Sequence, residues 1–197
     1  MESRAEWLET DGLGGFASGT ASGIRTRRYH ALLLCAQTPP TARVTLVNGF
    51  EADLSVNGVR FALSSQHYAP EVIHPDGAGR IASFTHEPWP HWTYRIDDRL
   101  RVEHEVFAVS GAPLVAVTWR LVGTASARRG AELRVRPLLS GRDYHALHHE
   151  NPEFRFAPEE FRGGWRWRPY PGVPAIFMRA NATYHHEPVW YRDFCYA

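Results

Sequence analysis

The chain has 197 residues, 44% of them hydrophobic, and its 22 basic residues nearly cancel 21 acidic ones to a formal net charge of +1. That length suits one domain burying roughly 70% of its unfolded surface, and the near neutrality argues against a protein that grips nucleic acid through its phosphates. All 22 basic residues are arginine and none is lysine, which favours planar, forked hydrogen bonding over point-charge contacts. The opening MESRAEWLET has neither the apolar core nor the cleavage pattern of a signal peptide. No apolar run is long enough for a membrane span. The expectation is a cytoplasmic protein with neither membrane nor nucleic acid as partner.

The stretch TDGLGGFASGTASGIRTRRYHALLL, from Thr10 to Leu34, comes next. A dinucleotide-binding loop needs a preceding strand and a following helix, and a Walker-type loop needs its lysine. Here the glycines lead into Ser, Thr and a β-like segment, so both readings fail. Turns and bulges account for the glycines as well as any ligand does. Arg27, Arg28, Tyr29 and His30 follow. Arginine forks suit hydroxyls and carboxylates, and aromatic rings suit the apolar face of a sugar. Ordinary strand-end charges paired on the surface would look the same, and composition does not choose between the two.

Further along, Leu54 to Phe61 brackets Asn57-Gly58, the strongest short hairpin signal. His86 and His91 surround Pro88-Trp89-Pro90 and read as dressing on an aromatic turn. Asp97-Asp98 reads as a second hairpin turn. Leu100, Val102 and His104 alternate with Arg101 and Glu103. Val115, Val117, Trp119 and Leu121 alternate with Ala116, Thr118 and Arg120, and Leu133 and Val135 alternate with Arg134 and Arg136. Trp165 and Trp167 share a face opposite Arg166 and Arg168. No helical period is sustained, and Gly and Pro punctuate the chain throughout. An all-β antiparallel sandwich in a single domain, residues 1–197, is predicted, with longer loops over His145–Pro158 and Pro169–Pro174.

Arg142-Asp143-Tyr144-His145-Ala146-Leu147-His148-His149-Glu150-Asn151 forms a second polar cluster. His145 and His149 have the spacing of one helical face with Glu150 adjacent, but the segment lacks the HExxH pattern. A loop that orders a neighbouring loop or a ligand is the better reading. Cys35 and Cys195 form no metal or redox spacing, so neither metal nor cofactor is implied. Glycoside hydrolysis needs two carboxyl groups about 5–10 Å apart. Glu103 with Glu105 and Glu159 with Glu160 have no such setting, and solvated surface charge explains them.

EWLETDGLGGFASGTASGIRTRRYHALLL, with HPDG, PWPHWTYRID, RPLLSGRDYHALHHENP and WYRDFCYA in the same order, resembles the N-terminal domain of bacterial and archaeal glycogen debranching enzymes, the amylo-α-1,6-glucosidase family. The resemblance runs over essentially the whole chain. Three positions depart from the family pattern: Asp11 stands where Asn is expected, Phe16 where Tyr is expected, and Ala31 where Gly is expected. Asp11 keeps an acceptor and loses an amide donor.

The resemblance implies a β-sandwich of the super-sandwich type, as in galactose mutarotase and the N-domain of glucoamylase. It implies a following catalytic (α/α)6 barrel, absent from this chain, so that a C-terminal truncation and an inactive segment are expected. The implied whole hydrolyses α-1,6 branch linkages in glycogen or limit dextrin. The implied partners are α-glucan and the barrel. The residues expected to shape or touch the glucan cleft by hydrogen bonding and stacking are Asp11, Arg28, Tyr29, His30, Arg142, Asp143, Tyr144 and His145. A stand-alone carbohydrate-binding module and a structural module that docks a barrel are the alternatives.

Overall fold

In the computed structural model, which describes residues 5–196, the chain folds into β-strands with one short 3-10 turn, and no α-helix occurs among the described residues. Strands β1 (Glu6–Thr10) and β2 (Phe16–Thr20) flank the glycine loop and pair with each other. Then come β3 (Ala31–Thr38), the long β4 (Thr41–Val56) and β5 (Val59–Ala62), which folds back on β4. Asn57 (φ 51°) and Gly58 (φ 84°) make that turn, both left-handed as a two-residue hairpin requires. A separate hairpin of β6 (Ser65–Tyr68) and β7 (Val72–Asp76) precedes β8 (Ile81–Thr85), β9 (His91–Arg95), β10 (Leu100–Ala108) and β11 (Val115–Gly123). The chain then returns through β12 (Ala131–Asp143) and ends its regular structure in β13 (Glu159–Phe161), β14 (Gly164–Trp167) and β15 (Ile176–Met178).

A six-stranded sheet runs β1-β2-β3-β4-β12, with β5 also on β4. It faces a four-stranded sheet of order β11-β10-β9-β8, and all pairings are antiparallel. Ala17, Ala52 and Leu54 from the first sheet meet Trp92, Tyr94, Leu100, Val102 and Val106 from the second. This is the sandwich that the alternation predicted. A second core joins Cys35, Val44, Leu46 and Val47 to Trp167 and Ile176 of the small β13-β14-β15 sheet. At the start of β4, Val44, Thr45, Leu46 and Val47 are buried in succession, where the register with β3 shifts between Leu33 and Leu34.

His104 lies at the centre of the main core. Its ring stacks on Trp119 at 3.8 Å and on Trp92 at 5.0 Å, and its Nδ1–H donates to the Thr118 carbonyl at 3.0 Å. Burial drives its pKa down to about 3, so the core holds a neutral imidazole with its one donor satisfied.

The structure adds detail at three places. Leu133 and Val135 do lie on a strand, but they remain 39% and 42% exposed. Their cross-strand neighbours Leu54 and Ala52 are buried, whereas β12 is the edge of its sheet and leaves its own apolar side chains uncovered. WYRDFCYA contributes an isolated bridge from Phe194 to Tyr68, and Ala197 lies outside the described residues. The segment from Tyr144 to Pro158 contains no helix, so His145 and His149 share no helical face.

Candidate functional site

The glycine loop is organised from within by Asp11. Its Oδ1 accepts from the main-chain N–H groups of Leu13 at 2.7 Å and Gly15 at 2.9 Å. Its own N–H donates to the Gly15 carbonyl at 3.2 Å. A Cβ on Gly15 would lie 2.3 Å from Asp11 Oδ2, and one on Gly14 would lie 2.6 Å from the Pro40 carbonyl oxygen. The glycines therefore let backbone pack on backbone, and the buried Asp11 carboxylate is committed to the loop it starts.

The turn that follows splits its side chains between two sides. Arg27 Nε donates to Glu6 Oε1 at 2.6 Å, and His30 Nε2 lies 3.4 Å from the same oxygen. The Thr26 N–H donates to His30 Nδ1 at 3.3 Å, which fixes the neutral tautomer with its proton on Nε2. Burial lowers the His30 pKa and the Glu6 charge opposes this only in part. His30 is thus a buried brace between the turn and β1. Arg28 and Tyr29 point the other way. Arg28 Nη1 donates to the His145 carbonyl at 3.1 Å, and the Tyr29 hydroxyl lies 3.4 Å from His145 Nδ1 although 116 residues separate them.

The two polar clusters therefore converge. Tyr29, Tyr144 and His145 form a group of rings with centroids 5.8 Å, 5.8 Å and 3.8 Å apart. Arg142 holds them from beneath. It is 7% exposed, and its Nη1 donates to the carbonyls of Ala146 at 2.9 Å, Tyr144 at 3.2 Å and Asp143 at 3.4 Å. Its Nη2 donates to the Arg28 carbonyl and to Asn48 Oδ1. Burial pulls its pKa down, and the neighbouring Asp143 charge offsets part of this. The fork clamps main chain to main chain, a task that needs the donor geometry only arginine supplies. The Asp143 carboxylate takes no part in this clamp. Its Oδ1 accepts from the His145 N–H at 2.9 Å and shapes the turn.

Two further sets of residues complete the frame, the first of them on a strand that the sequence did not flag. Arg43 Nε donates to the Gly14 carbonyl at 2.8 Å, and its guanidinium lies 5.7 Å over the Tyr144 ring, so it couples the glycine loop to the second cluster. Nothing in the pattern around Arg43 distinguishes it from any other arginine on a strand. Later in the same cluster, His148 lies between Ser140 Oγ at 3.2 Å and the Tyr170 hydroxyl at 2.7 Å, and Asn151 Nδ2 also donates to that hydroxyl. Burial and the Arg142 charge lower the His148 pKa. Phe154 and Trp190 close over these groups, which anchors the loop that carries His145.

Of the eight residues read from the sequence, Arg28, Tyr29, Tyr144 and His145 form the outward-facing group, with Tyr29 38% exposed. Asp11, His30, Arg142 and Asp143 hold it in place. Glu103 sits 3.7 Å from Arg120, Glu105 accepts from Thr118, and Glu159 pairs with Arg166 and Arg168. All four acids first considered for hydrolysis, Glu160 included, lie on exposed or half-buried strand positions.

This architecture defines an antiparallel β-sandwich domain with a loop-borne group of arginine and aromatic side chains. The chain matches the family model described as the N-terminal domain of glycogen debranching enzyme over residues 5–197, and it belongs to that family. No curated protein and no solved structure matches it.

Proposed function

We propose that this domain serves a glycogen debranching enzyme by shaping the α-glucan cleft of a catalytic (α/α)6 barrel that hydrolyses α-1,6 branch linkages in glycogen and limit dextrin in the cytoplasm. The observation that carries this reading is the meeting of Arg28 and Tyr29 with Tyr144 and His145 through the Arg142 clamp. Arg28, with its guanidinium exposed, supplies donors for sugar hydroxyls. Tyr29 and Tyr144 supply ring faces for the apolar side of a pyranose, and His145 supplies one further ring nitrogen. None of these groups is set up as a proton-transfer pair, so hydrolysis belongs to carboxylates outside this chain.

The uncovered Leu133 and Val135 on edge strand β12 favour a second reading, in which the domain docks a barrel and touches no glucan. Retention of the 197-residue chain in a glycogen-containing native gel separates the two. Glucan contact predicts retention that Tyr29→Ala weakens about tenfold, the worth of one stacking ring. Migration unaffected by glycogen would overturn it in favour of docking.

A further inference from the structure

We propose that His67, Glu71 and Cys195 form a binding site for a divalent zinc-like cation, and that the ion staples the 193–195 segment onto the β6–β7 hairpin. The three side chains each present one ligand atom, and these atoms all lie within 4.8 Å of one another, the one such group among the described residues. Tetrahedral zinc, at about 2.0–2.3 Å from nitrogen, oxygen and sulfur, places neighbouring ligand atoms about 3.3–3.8 Å apart. His67 Nε2 and Glu71 Oε2 are already 3.2 Å apart, so the adjustment left falls on Cys195 Sγ, which starts no more than 4.8 Å from its two partners.

The chemistry of the set is selective. A thiolate with an imidazole and a carboxylate suits zinc and its first-row neighbours, whereas calcium and magnesium require oxygen alone. Three protein ligands leave a fourth position for water, and Glu71, whose side chain is 83% exposed, keeps the site open to solvent. A His–Glu contact by itself would be an ordinary surface pair. The thiol brought from the far end of the chain makes the difference.

The backbone brings it there independently of any ion. The Cys195 N–H donates to the His67 carbonyl at 2.8 Å, and the Ala69 N–H donates to the Asp193 carbonyl at 2.8 Å. Between them the Phe194 ring stacks on Tyr68 at 5.0 Å. Two of the ligands are therefore held side by side before the metal arrives, which lowers the ordering cost of binding.

The consequence reaches the interior. Phe194 also receives the Arg25 guanidinium at 4.4 Å. Arg25 is buried, its side-chain partner is the Gln66 amide oxygen at 2.9 Å, and its Nε has no partner among the described residues. A buried guanidinium facing an amide and a ring depends on that ring staying in place. A metal staple one residue away holds it there. No pattern in the sequence announced the site, because His67 and Glu71 lie on one hairpin and Cys195 near the opposite end of the chain.

The test is calorimetric titration of Zn2+ alone into the reduced 197-residue chain, with thermal melts and with Co2+ as a spectroscopic stand-in. The expected result is one strong site, a thiolate-to-cobalt charge-transfer band, and a rise in Tm of about 5–10 °C at a hundredfold excess over Kd. Cys195→Ser and His67→Ala should each weaken binding more than about a hundredfold and abolish the Tm rise, a loss larger than that from an outer-shell change. Cys35→Ala should keep the band, since Cys35 is in the second core. Apo melts of the Cys195→Ser variant verify that it folds. Binding that survives Cys195→Ser, or cobalt without a thiolate band, overturns the proposal.

Discussion

Replacing Arg142 by methionine keeps the length and volume of the stem and removes the fork. The wild-type guanidinium makes two close bonds, to the carbonyls of Ala146 and Arg28, and weaker ones to Tyr144, Asp143 and Asn48. At about 1.5–3 kcal/mol for each close charge-assisted bond, the gross loss is about 3–6 kcal/mol. Removing a buried charge returns part of that through relieved desolvation, so a net loss of about 2–4 kcal/mol is expected. For a domain of this size that lowers Tm by about 5–15 °C. Hydrogen exchange adds the local signature. The amides of Tyr144, His145 and Ala146, which donate to the Arg43 carbonyl, Asp143 Oδ1 and the Asp143 carbonyl, should lose protection before the strands of the main core do. Arg142→Lys should recover little, because an ammonium cannot reach acceptors spread over two loops. Full stability in the lysine variant, or unchanged exchange at 144–146 in the methionine variant, would refute the clamp.

Further predictions concern acid, the glycine loop, glucan and metal. With a folded pKa of about 3 against an unfolded value near 6.5 for His104, the unfolded state takes up the proton first. Stability from this group is therefore complete above about pH 6.5 and falls by about 1.4 kcal/mol per unit as pH drops toward 3. Urea melts from pH 7 to 4.5 should show this slope, and His104→Phe should flatten it; equal slopes would clear His104 of the role. Asp11→Ala should cost about 2 kcal/mol in chemical denaturation through two unpaired amides, while Asp11→Asn should stay within about 0.5 kcal/mol. Glycogen retention weakened by Tyr29→Ala and a Tm raised by zinc are the outcomes expected for the two proposals above.

The parts of this fold that were legible in the sequence are those written by local rules. Period-two alternation marked β10 and β11, and Asn57-Gly58 marked the β4–β5 turn. Alternation cannot say what covers a strand, so Leu133 and Val135 were read as a strand without any sign that edge position would expose them. Within the site, the residue types were legible and their division of labour was not. Arg28 and His30 are two positions apart in the chain, yet one reaches His145 and the other reaches Glu6. That choice is set by which side of the turn β1 and the 143–146 loop occupy, a tertiary fact. Arg25, Arg43 and Cys195 acquire their roles only through partners distant in sequence, and a pattern search has no purchase on them.

The substitution at position 11 shows what such a motif encodes. The resemblance led to an expectation of Asn there and this chain has Asp, which raised the question of a missing donor. In the structure every bond that the side chain makes is accepted, from the amides of Leu13 and Gly15, through a single oxygen. An amide and a carboxylate offer that oxygen equally well, so the position requires an acceptor and tolerates either residue. Gly15 must then remain small, because its missing Cβ would meet the second oxygen at 2.3 Å. The loop so fixed presents the Gly14 carbonyl to Arg43, and Arg43 in turn lies over Tyr144. A motif that looks like a ligand cradle thus acts at one remove. Its glycines and acid hold the frame, and the surface they support is made by Arg28, Tyr29, Tyr144 and His145.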